Sequence, residues 1–198
     1  MITFFPQFSD RINCRFLSKD DDRSIPDSCV RLTQVHGNTT IVVSRYAVYR
    51  VSTEPPEADG VITDTKGLHL TVRAADCQNF AVYDPALHIG GALHAGWKGV
   101  LADAIPEFFR VLSDEFGSDL SNVVVSAGPS LCLQCAEFSD PKLELPNIDE
   151  KYFNDRHIDL QTIAQDQMIA AGILPEHFDR HPDCTCCHPD KYLTYRGG

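Results

Sequence analysis

The sequence predicts an α+β fold, and three observations carry the prediction. Residues 79–94 hold two apolar runs around a turn signal, as an antiparallel hairpin does. Apolar residues recur at helical spacing after Gly99 and again after Asp159. Short β-branched runs, bounded by turn residues, lie on either side of the hairpin. At 198 residues the chain can bury one sizeable core, so a single domain over 1–198 is expected.

Each element has its own reason. Residues 18–28, SKDDDRSIPDS, are charged and rich in turn formers, and read as an exposed loop. TTIVV at 39–43 is a short β-branched run, and GLHLTVR at 67–73 alternates apolar and polar positions; both read as strands. NFAVY, then DPA, then LHIGGALH form the hairpin, which ends at His94. Val100, Leu101, Ala104, Ile105, Phe108, Val111 and Leu112 share one helical face, but Pro106 interrupts it. That proline either kinks one helix or opens a second one capped by Asp103. NVVVSAG at 122–128 reads as a strand. Asp159 fits the N-cap of a helix that carries Leu160, Ile163, Ala164, Gln167, Met168 and Ala171, with Gly172 just past its end.

Charge narrows the partners. With 28 acidic against 17 basic residues the net charge is −11, which repels phosphate backbones and anionic lipid. An extended nucleic-acid or membrane footprint is therefore not expected, whereas a small anionic substrate remains compatible because a local site can oppose the global charge. No run approaches the roughly 20 apolar residues of a membrane span, and MITFFPQFSDR has no basic start. A cytoplasmic location is expected. In that reducing setting the eight cysteines are expected to be mostly free thiols that bind metal, do chemistry or fill the core.

Three short pieces could carry chemistry: QVHG at 34–37, AADC at 74–77 and HAGWKG at 94–99. Each places one soft or borderline ligand beside a strand end or turn. His36, Cys77 and His94 make a two-nitrogen, one-thiolate set that suits zinc and leaves a fourth position open for water or substrate. Their wide separation in sequence leaves open whether they meet; a hydrogen-bonded core histidine and a buried cysteine are the plainer alternatives. Gly96 and Gly99 permit a tight turn after His94. Lys98, near the start of the following helix, is a candidate for holding phosphate, or else a solvated surface charge.

In order along the chain, TQVHG, EADGVIT, AADC, HAGWKG, GPSLCLQCAEF, DLQTIAQDQMIAAGI and CTCCHPDKYLTYRGG resemble the laccase-domain, multicopper polyphenol oxidase-like proteins, regarded as zinc-dependent purine nucleoside phosphorylases. The resemblance implies a single α/β/β/α sandwich of two mixed sheets. It also implies that His36, Cys77 and His94 bind zinc and carry catalysis. The implied reaction is phosphorolysis of adenosine, inosine, guanosine and methylthioadenosine, with adenosine deamination alongside. The partners are then a purine nucleoside and phosphate. Arg196 matches the arginine of the family's last motif and could reach an anion, and Asp76 could orient a ligand. Copper is less expected, since one such triad cannot supply the several coppers that full reduction of oxygen needs.

The chain departs from the family in places. Only about thirty-five residues precede His36, TYRG stands where SYRR is usual, and Gln165 replaces an asparagine. Arg73 precedes AADC where the family has threonine, which puts a cation near Cys77 and is expected to favour its thiolate. The cluster HPDCTCCH at 181–188 offers Cys184, Cys187 and His188 to a second zinc, but no second pair lies at the usual distance in sequence, and a packing role is the favoured reading. Cys132 and Cys135 have the CxxC spacing of redox motifs without a helix to activate a thiol, so redox chemistry is a minor reading. A hydrolase with Cys77 as nucleophile and His94 as base, acting on amides or peptidoglycan precursors, is the main alternative function.

Overall fold

The computed structural model describes residues 1–21, 29–44 and 54–197. Its centre is a six-stranded mixed sheet. In chain order the strands are β4 (Thr40–Val42), β5 (Gly60–Thr63), β7 (Gln78–Asp84), β8 (Ile89–Ala95), β9 (Val124–Ala127) and β10 (Phe178–Arg180), arranged spatially as β10-β9-β7-β8-β5-β4. The long β7–β8 hairpin is the one the alternating pattern predicts. Its turn closes because Asp84 Oδ1 accepts from the N–H groups of Ala86 and Leu87.

Period-two alternation splits each central strand between two cores. Ile62, Phe80, Val82, Leu93, Val125 and Ala127 face the helices, whereas Val61, Ala81, Tyr83 and Ala92 face the opposite side. That opposite side is covered by the antiparallel ribbon β1 (Ile2–Phe4)–β2 (Cys14–Phe16) and the parallel pair β3 (Cys29–Val30)–β6 (His69–Leu70). The fold is α+β and layered, as expected. Among the described residues its second β layer is built from these ribbons and not from one continuous sheet.

The helical face carries α1 (Trp97–Leu101), α2 (Ala104–Phe116) and α4 (Leu160–Ala171); a short α3 spans Pro141–Glu144. Pro106 resolves as an early residue of a second helix. Asp103 occupies the N-cap of α2 with a positive φ of 57°, but its side chain caps nothing. Ile105, Phe108, Phe109 and Leu112 are buried along α2, each contributing on the order of 2 kcal/mol relative to exposure. Phe108 comes close to the sheet because its floor is glycine: a Cβ at Gly91 would stand 2.7 Å from its ring. The caps of α4 are as the sequence predicts, with Asp159 accepting from Thr162 N–H at 3.0 Å and Gly172 at φ 116°.

Two expectations need adjustment. The strand expected at 67–73 pairs only over His69–Leu70. Leu68, Leu70 and Val72 do pack together, but the Gln34 carboxamide takes over the backbone of Arg73, donating to its carbonyl and accepting from its N–H, both at 2.7 Å. A side chain replaces the ladder there. Of the expected loop, residues 22–28 lie outside the described residues; the remainder is a turn in which Ser18 donates N–H and O–H to Asp21. No helix of the described residues is long and apolar enough to cross a membrane.

Candidate metal centre and active-site cavity

Strand register brings distant residues together at one end of the central sheet. Gln78 pairs with Ala95, so the next position outward sets Cys77 opposite Gly96. Gly60 pairs with Leu93, and the His94 N–H donates to the Asp59 carbonyl at 2.8 Å, which places Asp59 beside His94. His36 comes from the loop before β4, which lies against α1: a Cβ at Gly99 would stand 3.1 Å from the Gly37 carbonyl.

The ligand atoms of His36, Cys77 and His94 lie within 4.8 Å of one another. The two imidazoles meet edge to face, with ring centroids 4.9 Å apart. His94 is buried at 3 % exposure, and its Nδ1 is 2.8 Å from Asp59 Oδ1. A carboxylate only accepts, so Nδ1 carries the proton and Nε2 keeps a free lone pair. The same carboxylate accepts from the N–H groups of Val35, His36 and Gly37 at 3.3, 3.1 and 2.8 Å. These bonds hold His36 at φ 60°, a left-handed conformation that costs a non-glycine residue about 1 kcal/mol. Asp59 thus fixes two of the three ligands, and sequence reasoning did not single it out although it lies within the EADGVIT motif.

The donor set fits one metal ion. A Cβ at Gly96 would stand 2.9 Å from His36 Cδ2 and 3.0 Å from Cys77 Sγ, so glycine is what lets these two approach. Burial lowers the pKa of His94 and so favours the neutral imidazole that a metal needs, opposed by the hydrogen bond that His94 donates to Asp59. Burial, then Asp76 and Asp59, push the Cys77 thiol up to about 11. This corrects the expectation for Arg73, which does not offset those effects. Without a cation at the site Cys77 is a thiol.

The triad opens into a cavity of about 630 Å³. Its apolar walls include Trp97, Leu131, Phe138 and Leu160, and Trp97 meets Phe138 edge to face at 5.8 Å. Arg73, Gln78 and Arg196 supply polar lining. Gln78 accepts from Arg180 at 2.7 Å, while its buried Nε2 has no partner among the described residues. The Arg196 guanidinium lies 5.9 Å from the Phe138 ring centroid. Lys98 is exposed, over the Trp97 ring at 5.4 Å, and does not line the cavity.

Asp76 departs from its expected part. Its carboxylate accepts from Thr185 Oγ1 at 2.7 Å and from the N–H groups of Tyr195 and Arg196 at 2.7 and 2.9 Å. It anchors the C-terminal segment to the cavity wall, and the ligand-orienting position belongs to Asp59. The cysteines at 184 and 187 also differ from expectation. Their partners are Cys132 and Cys135, with all four sulphurs within 4.8 Å, whereas His188 bonds through Nδ1 to the Cys184 carbonyl.

A long mixed sheet with a His/Cys/His set at its end defines the class. The chain belongs to the multi-copper polyphenol oxidoreductase laccase family, whose model matches residues 13–198. It is 30% identical over 159 residues to the purine nucleoside phosphorylase LACC1 of Homo sapiens, a match covering 72% of this chain and 35% of that protein. The chain therefore spans about a third of that relative. It is 22% identical over 184 residues to the adenosine deaminase RL5 of an unknown prokaryotic organism, covering 86% of this chain and 70% of that protein. The crystal structure of the YfiH protein of Bacillus licheniformis has the same fold, with a TM-score of 0.77 at 22% identity, over 86% of this chain and 69% of that one.

Proposed function

We propose that the chain is a zinc-dependent purine nucleoside phosphorylase with adenosine deaminase activity, formed by residues 1–198 as one domain. The observation that carries this reading is the convergence of His36, Cys77 and His94 on the rim of an apolar cavity that also holds two arginines. Purine nucleoside phosphorylase and adenosine deaminase, the names of two relatives, fit such a cavity. A working place in the reducing cytoplasm is part of the proposal.

In this reading His36, Cys77 and His94 hold the ion. When bound, it supplies Lewis acidity and activation of water, the chemistry that deamination needs. The chain's own residues do the rest. Trp97, Leu131, Phe138 and Leu160 take the flat purine, and about 630 Å³ lies within the range of small-molecule sites. Arg73 and Arg196 hold phosphate at the polar side, where its negative charge stabilises the positive charge that grows on the ribose as the glycosidic bond breaks. The position of Lys98 outside the lining gives it the lesser part in phosphate binding. Asp59 keeps His94 in the required tautomer.

The hydrolase alternative has less support. A thiol raised to about 11 is a poor nucleophile near neutrality. Incubating metal-analysed protein with adenosine, with and without phosphate, tests the proposal. Adenine and ribose 1-phosphate are expected only when phosphate is present; inosine as the sole product would leave a deaminase, and neither product would refute the reading.

A further inference from the structure

A second cluster lies apart from the triad. Two C-x-x-C pairs, Cys132/Cys135 and Cys184/Cys187, are 52 residues apart along the chain and meet with all four sulphurs within 4.8 Å. They are brought together by a parallel bridge between Ser130 and Cys184 and by the Thr185 N–H donating to the Ser130 carbonyl at 3.3 Å. Cys135 and Cys187 sulphurs are 3.5 Å apart. In a tetrahedral zinc tetrathiolate, with Zn–S near 2.3 Å, sulphurs stand about 3.8 Å apart, whereas a disulfide needs about 2.05 Å. The Cys132 N–H also points at the Cys184 sulphur at 3.3 Å, the kind of backbone contact that supports a thiolate ligand.

We infer that Cys132, Cys135, Cys184 and Cys187 form a closed, structural tetrathiolate zinc site, distinct from the His36–Cys77–His94 centre. Four protein ligands leave no open position, so the site does no chemistry. Its place explains its use. It clips the loop after β9 to the start of the C-terminal segment, which has almost no regular structure of its own. That segment carries Thr185, Tyr195 and Arg196 to the Asp76 carboxylate, immediately before Cys77. The clip therefore holds one wall of the cavity in place, supplying order that neither helix nor sheet provides there. Three of the four thiols are at least partly shielded from solvent.

Metal counting tests the inference independently of any enzymatic activity. Protein expressed with zinc is expected to hold two equivalents. His36→Ala/Cys77→Ser is expected to keep one, and Cys132→Ser/Cys187→Ser to lose the other while residues 184–197 become protease-sensitive. Should the second variant fail to fold, cobalt exchange into His36→Ala/Cys77→Ser gives the answer. The intense ligand-field and thiolate-to-cobalt absorption of a tetrahedral four-sulphur site is then expected. A featureless cobalt spectrum, or an intact mass lowered by the hydrogens lost to disulfides with no zinc bound at the cluster, would overturn it.

Discussion

Asp59 Oδ1 stands 2.8 Å from Nδ1 of His94, and the carboxylate that makes this contact also gathers the backbone of the His36 loop. One fully buried acid thereby sets the orientation of one ligand and the backbone conformation of another. Asp59→Asn keeps the size but offers His94 an amide and removes the charge that draws in three N–H groups. Zinc affinity at the triad is expected to fall by about 10–100-fold, the usual loss for such a partner. Competition with a calibrated chelator measures it, and unchanged affinity would show that Asp59 plays no part in holding the ligands.

Gly96→Ala introduces a Cβ about 3 Å from both His36 and Cys77. Those two must separate, so the variant is expected to lose its triad metal and most activity while its far-ultraviolet circular dichroism is unchanged. Retention of full metal content would contradict the packing argument.

In the metal-free protein two of the ligands are expected to contribute to the pH dependence of stability, one at each end of the range. Folding raises the Cys77 pKa from 9.0 to about 11, so the unfolded chain releases this proton first. Stability from that group is present below pH 9 and is lost as pH rises toward 11. His94 shifts the other way: burial lowers its pKa below 6.5, the unfolded chain binds the extra proton, and stability falls as pH drops through that value. Urea midpoints from pH 5 to pH 11 measure both limbs. Cys77→Ser is expected to lessen the alkaline loss, to which the Cys14 thiol, pushed up to about 12 by burial, also contributes; an alkaline limb identical to that of the wild type would show that Cys77 has no part in it.

Arg196 lines the cavity and Lys98 does not. Arg196→Ala is expected to raise the phosphate KM about tenfold, in line with the loss of one charge-assisted contact, with a smaller effect on the adenosine KM. Lys98→Ala is expected to change the phosphate KM by less than about twofold. The reverse order would move the anion site to the start of α1.

Much of this fold was legible in the residues, and the reasons differ by element. The β7–β8 hairpin shows because both strands are long and a turn signal separates them. Helix α4 shows because Asp159 and Gly172 mark its two ends. Strand β6 is shorter than its alternation suggests because Gln34, distant in sequence, captures the backbone of Arg73. The triad ligands were readable only through their motifs, since no local period links His36 to Cys77. Asp59 escaped notice because a single acid carries no periodic signal and its partners lie 22 to 35 residues away. The meeting of Cys132 and Cys135 with Cys184 and Cys187 was hidden for the same reason: loops, not strands or helices, bring them together.

The central claim is that three side chains serve one ion, and zinc stoichiometry in His36→Ala, Cys77→Ser and His94→Ala measures it most directly. Each variant is expected to lose the same single equivalent, and no more, when dialysed against a moderate chelator. Any one of the three keeping both the wild-type content and the wild-type affinity would remove that residue from the centre and contradict the account.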